Sequence, residues 1–271
     1  MNMKKNSITV GIPFYKKTNV KYFEMAIKSV VDQTLTPDKI HLIQDGEVSQ
    51  ELVEIINKYK NKYSIIEIMR LPKKGLPYAL NQSIKKSNTE YYARMDSDDI
   101  SVKNRLECQL NYFQKNINLQ ILGTWAYEFE NDYKNEFLYI NKAPIEKAEI
   151  ERYFHYRNPL VHPSVMFRTT VFNKIGYYNE EMYTDQDLEL WSRALKNKVN
   201  ISNVDKPLLY LRTEGRLIRR SQLSAIKRQI KIRYSYNTCS FKLNVLKLAA
   251  IILRILPNSI SGWCYRNLRN L

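Results

Sequence analysis

The chain has 271 residues, 44% of them apolar, and a formal net charge of +16. That length and apolar share accommodate one large α/β domain with an appendage and exclude global disorder. Cys108, Cys239 and Cys264 are far apart and odd in number, which excludes a zinc spacing or a disulfide framework and points to a reducing compartment.

Met1 to Ser7 is charged and leads directly into a strand, so no signal peptide is expected. Ile8 to Pro13 is rich in β-branched residues and predicts a buried strand stopped by its proline. From Val20 to Gln33, apolar residues at Phe23, Ala26, Ile27, Val30 and Val31 follow helical spacing. Lys39 to Ile43 reads as a second strand with Asp45-Gly46 as its turn, and Ser49 to Lys60 as a second helix. Ile65 to Arg70, Pro77 to Lys86 and Glu90 to Met95 continue the alternation as strand, helix and strand. Four strand–helix alternations predict a mostly parallel sheet with helices on both faces, which binds ligands beyond the carboxyl ends of its strands. Pro13 to Tyr15, Asp45 and Asp96 to Asp99 all fall at such ends.

Further along, Arg105 to Gln114 is helical in pattern, and Ile121 to Phe129 and Glu136 to Asn141 read as strands. Glu146 to Tyr153 is helical, Ser164 to Arg168 a short strand, and Val171 to Ile175 a helix start. Asp187 to Leu195 is amphipathic, with Leu188, Trp191 and Leu195 on one side. The only boundary falls near Arg212, where the charge changes. Residues 212–271 carry 13 Lys and Arg against the single acid Glu214, whereas the first 211 carry 30 against 26. Such a basic tail implies an anionic partner.

Arg94-Met95-Asp96-Ser97-Asp98-Asp99 is the densest chemical signal. Three carboxylates in four residues repel one another and are costly to bury unpaired. A hard divalent cation with substrate phosphates in its shell would relieve them. The same residues also suit an acidic turn capping a helix that starts near Ser101, and the motif alone leaves both readings open.

The ordered set of motifs narrows the choice. Val10-Gly11-Ile12-Pro13-Phe14-Tyr15, Ile43-Gln44-Asp45-Gly46, Gly75-Leu76-Pro77-Tyr78-Ala79-Leu80-Asn81 and Met95-Asp96-Ser97-Asp98-Asp99 follow one another. His162-Pro163-Ser164-Val165-Met166-Phe167-Arg168 and Gln186-Asp187-Leu188-Glu189-Leu190-Trp191 complete the series. Over roughly residues 7 to 220 this set resembles the inverting glycosyltransferases of family 2, in the bacterial capsule and exopolysaccharide branch that includes amylovoran-type enzymes. The resemblance implies a GT-A fold, with a catalytic domain over 1–211 divided near 105 into nucleotide-binding and acceptor halves. It implies Mn²⁺ or Mg²⁺ on Asp96 and Asp98, and Asp187 as general base. Donor contacts are implied at Pro13, Tyr15, Asp45, Gly75, Asn81, Arg94, Asp96, Ser97 and Asp98. Asp45 also suits a turn residue and Asp187 a helix cap; its place on the rim favours the donor role for Asp45, the resemblance favours the base role for Asp187, and Asp185 competes with Asp187 as base. Two departures stand out: Gln44 precedes Asp45, and Gln186 precedes Asp187, where the family often has acids.

His162 suits either a packed core histidine or a residue lining the acceptor or metal side of the pocket. Arg219 and Arg220 suit either a solvated basic face or a fork for diphosphate oxygens. The expected reaction moves a sugar from a nucleotide-sugar donor, with UDP the expected carrier, to a saccharide or polyprenyl-diphosphate-linked acceptor in surface polysaccharide synthesis. A metal-dependent nucleotidyltransferase would also pair an α/β sheet with carboxylates. It would show a glycine-rich loop where Pro13-Phe14-Tyr15-Lys16-Lys17 stands. A basic nucleic-acid-binding protein would show a helix-turn-helix, zinc or RNA-binding signature, so no nucleic-acid partner is expected.

In the tail, Phe241 to Leu256 predicts an amphipathic helix with Lys242, Lys247 and Arg254 within about 140° of one another. Its longest uncharged run, Leu248 to Leu253, falls far short of the ~20 residues that span a bilayer. Trp263, Tyr265, Arg266 and Arg269 add an interfacial flank. A helix packed on protein is the alternative to a basic face on the membrane surface. The membrane reading predicts a cytoplasmic protein peripheral to the inner face of the cell membrane.

Overall fold

The computed structural model describes residues 4–130, 133, 139–213 and 223–253. The first half alternates as the patterns predict: β1 (Lys4–Tyr15), α1 (Val20–Val31), β2 (Lys39–Asp45), α2 (Gln50–Lys62), β3 (Ile66–Leu71), α3 (Leu76–Lys86) and β4 (Thr89–Arg94). Then come β5 (Ile100–Ser101), α4 (Arg105–Lys115), β6 (Ile121–Phe129), β7 (Tyr139–Asn141) and α5 (Lys147–Phe154). A 3-10 turn (His162–Ser164) leads to β8 (Met166–Arg168), α6 (Val171–Ile175), α7 (Gln186–Lys196), β9 (Ile201–Arg212), α8 (Leu223–Ser235) and α9 (Phe241–Ile252).

Among the described residues, nine strands join one mixed sheet in the order β3-β2-β1-β4-β8-β6-β9-β5, with β7 paired to β6. Strands β1 to β4 are mutually parallel, β8 runs against both β4 and β6, and β9 runs parallel to β6. Strand β1 is buried without a break from Ser7 to Phe14, as a central strand covered on both faces must be. Alternate residues then feed two cores. Tyr91, Ala93, Leu122 and Met166 join Phe23, Leu52 and Phe113 under α1, α2 and α4. Their neighbours Tyr92, Ile121 and Phe167 join Leu80, Phe154, Phe172 and Trp191 under α3 and α5 to α7. Ile232 of α8 reaches this second core, so α8 is packed on the catalytic body.

Three expectations are corrected. Pro13 does not end β1. Pairing with β4 stops at Gly11, while β1 continues along β2 to Tyr15, so the proline lies where the strand is paired on one side. The twelve-residue β9 was not anticipated, because Asp205-Lys206-Pro207 interrupts its apolar pattern. The sheet absorbs that break as a register shift opposite Trp125, leaving Asp205 and Lys206 exposed. The expected basic face of α9 is divided: Lys242 is exposed, whereas Lys247 is fully buried, its Nζ 4.5 Å from the Tyr234 ring and 3.4 Å from Asn237 Oδ1. Arg254, Trp263 and the rest of the flank lie outside the described residues.

Candidate active site

The rim is built where β1, β2 and β4 end. Tyr15 lies beside Asp45 in the parallel register, with its ring exposed. The Asp45 carboxylate accepts backbone N–H groups of Lys74 at 2.8 Å and Gly75 at 3.0 Å. It thereby ties the end of β2 to the start of α3. Gly75 caps α3 at a φ of 92°, a conformation that suits glycine, and the Tyr183 ring sits against it. Pro13 is buried in the ladder opposite Ile43. Asn81 is buried, and its amide donates to Tyr178 O and Glu180 Oε1 and accepts from Tyr178 N. Both of its amide hydrogens are therefore engaged within the protein, where they pin the 178–180 loop to α3.

Beyond β4, the three acids diverge. One carboxylate oxygen from each of Asp96, Asp98 and Asp99 lies within 4.8 Å of the other two. Asp99 is completely buried and its Oδ1 accepts the Arg212 backbone N–H at 2.8 Å, which clamps the loop to the end of β9. Asp96 and Ser97 are half-buried and Asp98 is exposed, so Asp96 and Asp98 are the acids of this loop that solvent reaches. This set of hard oxygen donors fits Mg²⁺ or Mn²⁺.

Three arginines balance the loop. Arg94 is buried and donates through Nη2 to Asp96, while its Nε and Nη1 have no hydrogen-bond partner among the described residues. Arg105, fully buried, donates to the Arg94 carbonyl at 2.7 Å, and burial pulls its pKa down to about 9. Arg212 donates to the Asp98 carbonyl at 3.2 Å and lies over the Tyr22 ring, 3.5 Å from its centroid. Neither Arg105 nor Arg212 carries a sequence signal for this role, since each acts through backbone groups brought close by the fold.

On the other side of the rim stands Asp187, in the first turn of α7. Its carboxylate accepts from Asn158 Nδ2 at 2.6 Å. Burial raises its pKa above the ordinary carboxylate value; the Leu188 backbone N–H opposes this, and Asp185 adds to it by like charge. Asp185 itself is held at a φ of 60° and accepts from Gln229 Nε2 of α8 at 2.6 Å. His162 is buried, with Nε2 2.8 Å from the Tyr178 hydroxyl and its ring edge-on to Trp191. Desolvation, then the Arg94 charge, pushes its pKa well below the ordinary imidazole value, so it is neutral. The same Arg94 charge acts on Asp187 and Tyr178, which places the acidic loop and the α7 carboxylate within one electrostatic site. Arg219 and Arg220 lie outside the described residues.

A mixed, mostly parallel sheet with helices on both faces and an acidic loop at the end of β4 has the GT-A-like arrangement. Residues 9–176 match the family described as glycosyl transferase family 2, and the chain belongs to it. It is therefore a glycosyltransferase, and the nucleotidyltransferase and nucleic-acid readings fall away. It is 30% identical over 263 residues to an Escherichia coli UDP-Gal:alpha-D-GlcNAc-diphosphoundecaprenol beta-1,3-galactosyltransferase, covering 95% of this chain and 94% of that one. It is 26% identical to the amylovoran biosynthesis glycosyltransferase AmsE of Erwinia amylovora, covering 83% of each. Among solved structures, S. aureus TarS 1-349 in complex with UDP-GlcNAc superposes with a TM-score of 0.67 at 20% identity, over 94% of this chain and 73% of that one.

Proposed function

We propose that this chain transfers a sugar from a UDP-sugar, with inversion, to a hydroxyl of a saccharide carried on polyprenyl diphosphate, at the inner face of the membrane. The observation that carries the proposal is the pairing of two acidic stations across one rim. Asp96 and Asp98 are the solvent-reached acids of the loop, and Asp187 is a half-buried carboxylate that accepts from the Asn158 amide and whose pKa is raised by burial. The E. coli relative named for a diphosphoundecaprenol acceptor supports the acceptor class, since the two chains match over nearly their full lengths.

Asp96 and Asp98 would hold Mn²⁺ or Mg²⁺, which when bound supplies Lewis-acid neutralisation of the departing diphosphate. Asp45, Tyr15 and Pro13 form the nucleoside side of the rim, where Asp45 retains lone pairs for an N–H or hydroxyl of the base or ribose. Asp187 accepts the proton of the acceptor hydroxyl as that oxygen bonds to the anomeric carbon. The bond from that carbon to the diphosphate oxygen breaks on the opposite face, UDP leaves with the electron pair, and configuration inverts. In this reading Asp185 fastens α8 through its bond to Gln229 and is not the base. Neutral His162 contributes shape and a hydrogen bond to Tyr178, not charge. In this reading residues 1–211 catalyse and 212–271 form the membrane-facing appendage.

The test is a panel of UDP- and GDP-sugars with a diphosphate-lipid acceptor analogue, assayed with Mn²⁺, with Mg²⁺ and with EDTA. The expected result is UDP release that requires metal, with product NMR showing inverted anomeric configuration. Transfer from GDP-sugars alone, full activity in EDTA, or retained configuration would each overturn the corresponding part.

A further inference from the structure

Among the described residues, nine large apolar side chains are exposed, and six of them belong to α8 and α9: Ile230, Tyr234, Phe241, Val245, Leu248 and Ile252. Those of α9 form one stripe, because positions 241, 245, 248 and 252 fall within about 60° of arc at 3.6 residues per turn. Phe241 is 84% exposed, while Lys247 on the inward side of the same helix is 0% exposed. An ordinary surface helix hides its apolar stripe; α9 exposes one and buries Lys247 instead. A contiguous exposed apolar surface of this kind marks a docking face.

We propose that the outer face of α8 and α9 docks on a bilayer bearing anionic headgroups, with the stripe entering the interface and Lys227, Lys231 and Lys242 meeting the headgroups. All three lysines are exposed, and residues 215–271 contain no Asp or Glu. Apolar side chains flanked by lysines, in a segment that carries no acid of its own, fit the interface between acyl chains and anionic headgroups. A second copy of the chain is disfavoured as the occupant, since it would bring two acid-free cationic segments together. Among the described residues no helix is long and apolar enough to cross a membrane, so the contact is lateral.

The placement also serves the reaction, and in this respect it rests on the lipid-linked-acceptor reading. Helix α8 is fastened to the loop before the base by Gln229 to Asp185 and by Arg228 Nη2 to Thr184 Oγ1, each at 2.6 Å. Docking α8 on the bilayer therefore brings the Asp187 side of the rim to the surface that confines a polyprenyl-diphosphate acceptor.

The test is flotation of the full chain with phosphatidylglycerol–phosphatidylethanolamine vesicles and, separately, with phosphatidylcholine vesicles, at low and high salt. Two variants accompany the unaltered chain: Phe241→Asp with Leu248→Asp, and Lys227→Gln with Lys231→Gln and Lys242→Gln. The unaltered chain is expected to float with the anionic vesicles. Binding should fall about tenfold or more in the aspartate variant and roughly a hundredfold at low salt in the glutamine variant. Melting temperature and transfer to a soluble acceptor should stay unchanged in both. The proposal is overturned if the unaltered chain stays in the dense fraction, or if the aspartate variant floats equally well. It is also overturned if light scattering finds a dimer that the aspartates break without any lipid binding, or if those aspartates lower the melting temperature and soluble-acceptor transfer together. Failure of transfer with every nucleotide-sugar, with flotation intact, would count against the proposed reaction and leave the docking face standing.

Discussion

Replacing Asp187 by Asn separates basicity from shape. The amide keeps the volume and can still accept from Asn158, so the 2.6 Å contact has a replacement and the loop should hold. What disappears is the site that takes the acceptor proton. Loss of a general base reduces turnover ~10²–10⁴-fold, which is about 3–5 kcal/mol of transition-state stabilisation. Donor affinity should barely change, because Asp187 lies across the rim from Asp45 and the metal loop. Stability provides a second, opposite-signed readout. Burial raises the folded-state pKa of Asp187, so the native protein holds that proton more tightly than the unfolded chain. Its ionisation therefore costs stability as pH rises from the ordinary carboxylate value through the raised one. Asp187→Asn should melt higher than the unaltered protein at pH 7 and equally at about pH 3, below the ordinary value. The assays are kcat and KM from UDP release, donor affinity by calorimetry, and melting curves at the two pH values. In the unaltered enzyme, kcat/KM should rise with pH through the raised pKa. If Asp187→Asn keeps more than a tenth of the activity while Asp185→Asn abolishes it, the base lies two residues upstream and the reasoning fails.

Asp98→Ala should abolish metal-dependent donor binding with little effect on melting, because its side chain is exposed, whereas Asp99→Ala should lower the melting temperature by releasing β9 from the acidic loop. Circular dichroism melts beside calorimetric titration of Mn²⁺ distinguish the two, and equal behaviour of the pair would refute the division. Gly11→Ala places a methyl 1.9 Å from the Tyr92 hydroxyl, which donates to Ser83, and overpacking of this kind costs about 1–3 kcal/mol in denaturant unfolding. Acid sensitivity should follow the buried histidines: burial lowers His41 from 6.5 to about 4 and does the same for His155. The unfolded chain takes up protons first, so stability should fall as pH drops from 6.5 to about 4, and His41→Asn should flatten that slope in unfolding titrations.

Helical and strand periods are local, which is why the sequence places β1 to β4 and α1 to α4 within one to four residues, and why the motif order already points to the rim. Partnerships are not local. Asp96, Asp98 and Asp99 are chemically alike in sequence, yet burial divides them into a clamp and two acids that solvent reaches, because Asp99 accepts from the Arg212 backbone, 113 residues away. Asp185 and Asp187 are likewise indistinguishable by spacing until Gln229, 44 residues on, engages the first and Asn158, 29 residues back, the second. The tail follows the same logic. A helical wheel gives the phase of α9 but not which side meets the protein, and that choice is made by Tyr234 and Asn237 receiving Lys247. Once that lysine is inside, Phe241, Val245, Leu248 and Ile252 must face outward. Among the described residues, α9 thus keeps Lys242 exposed beside an apolar stripe, with Lys247 turned inward.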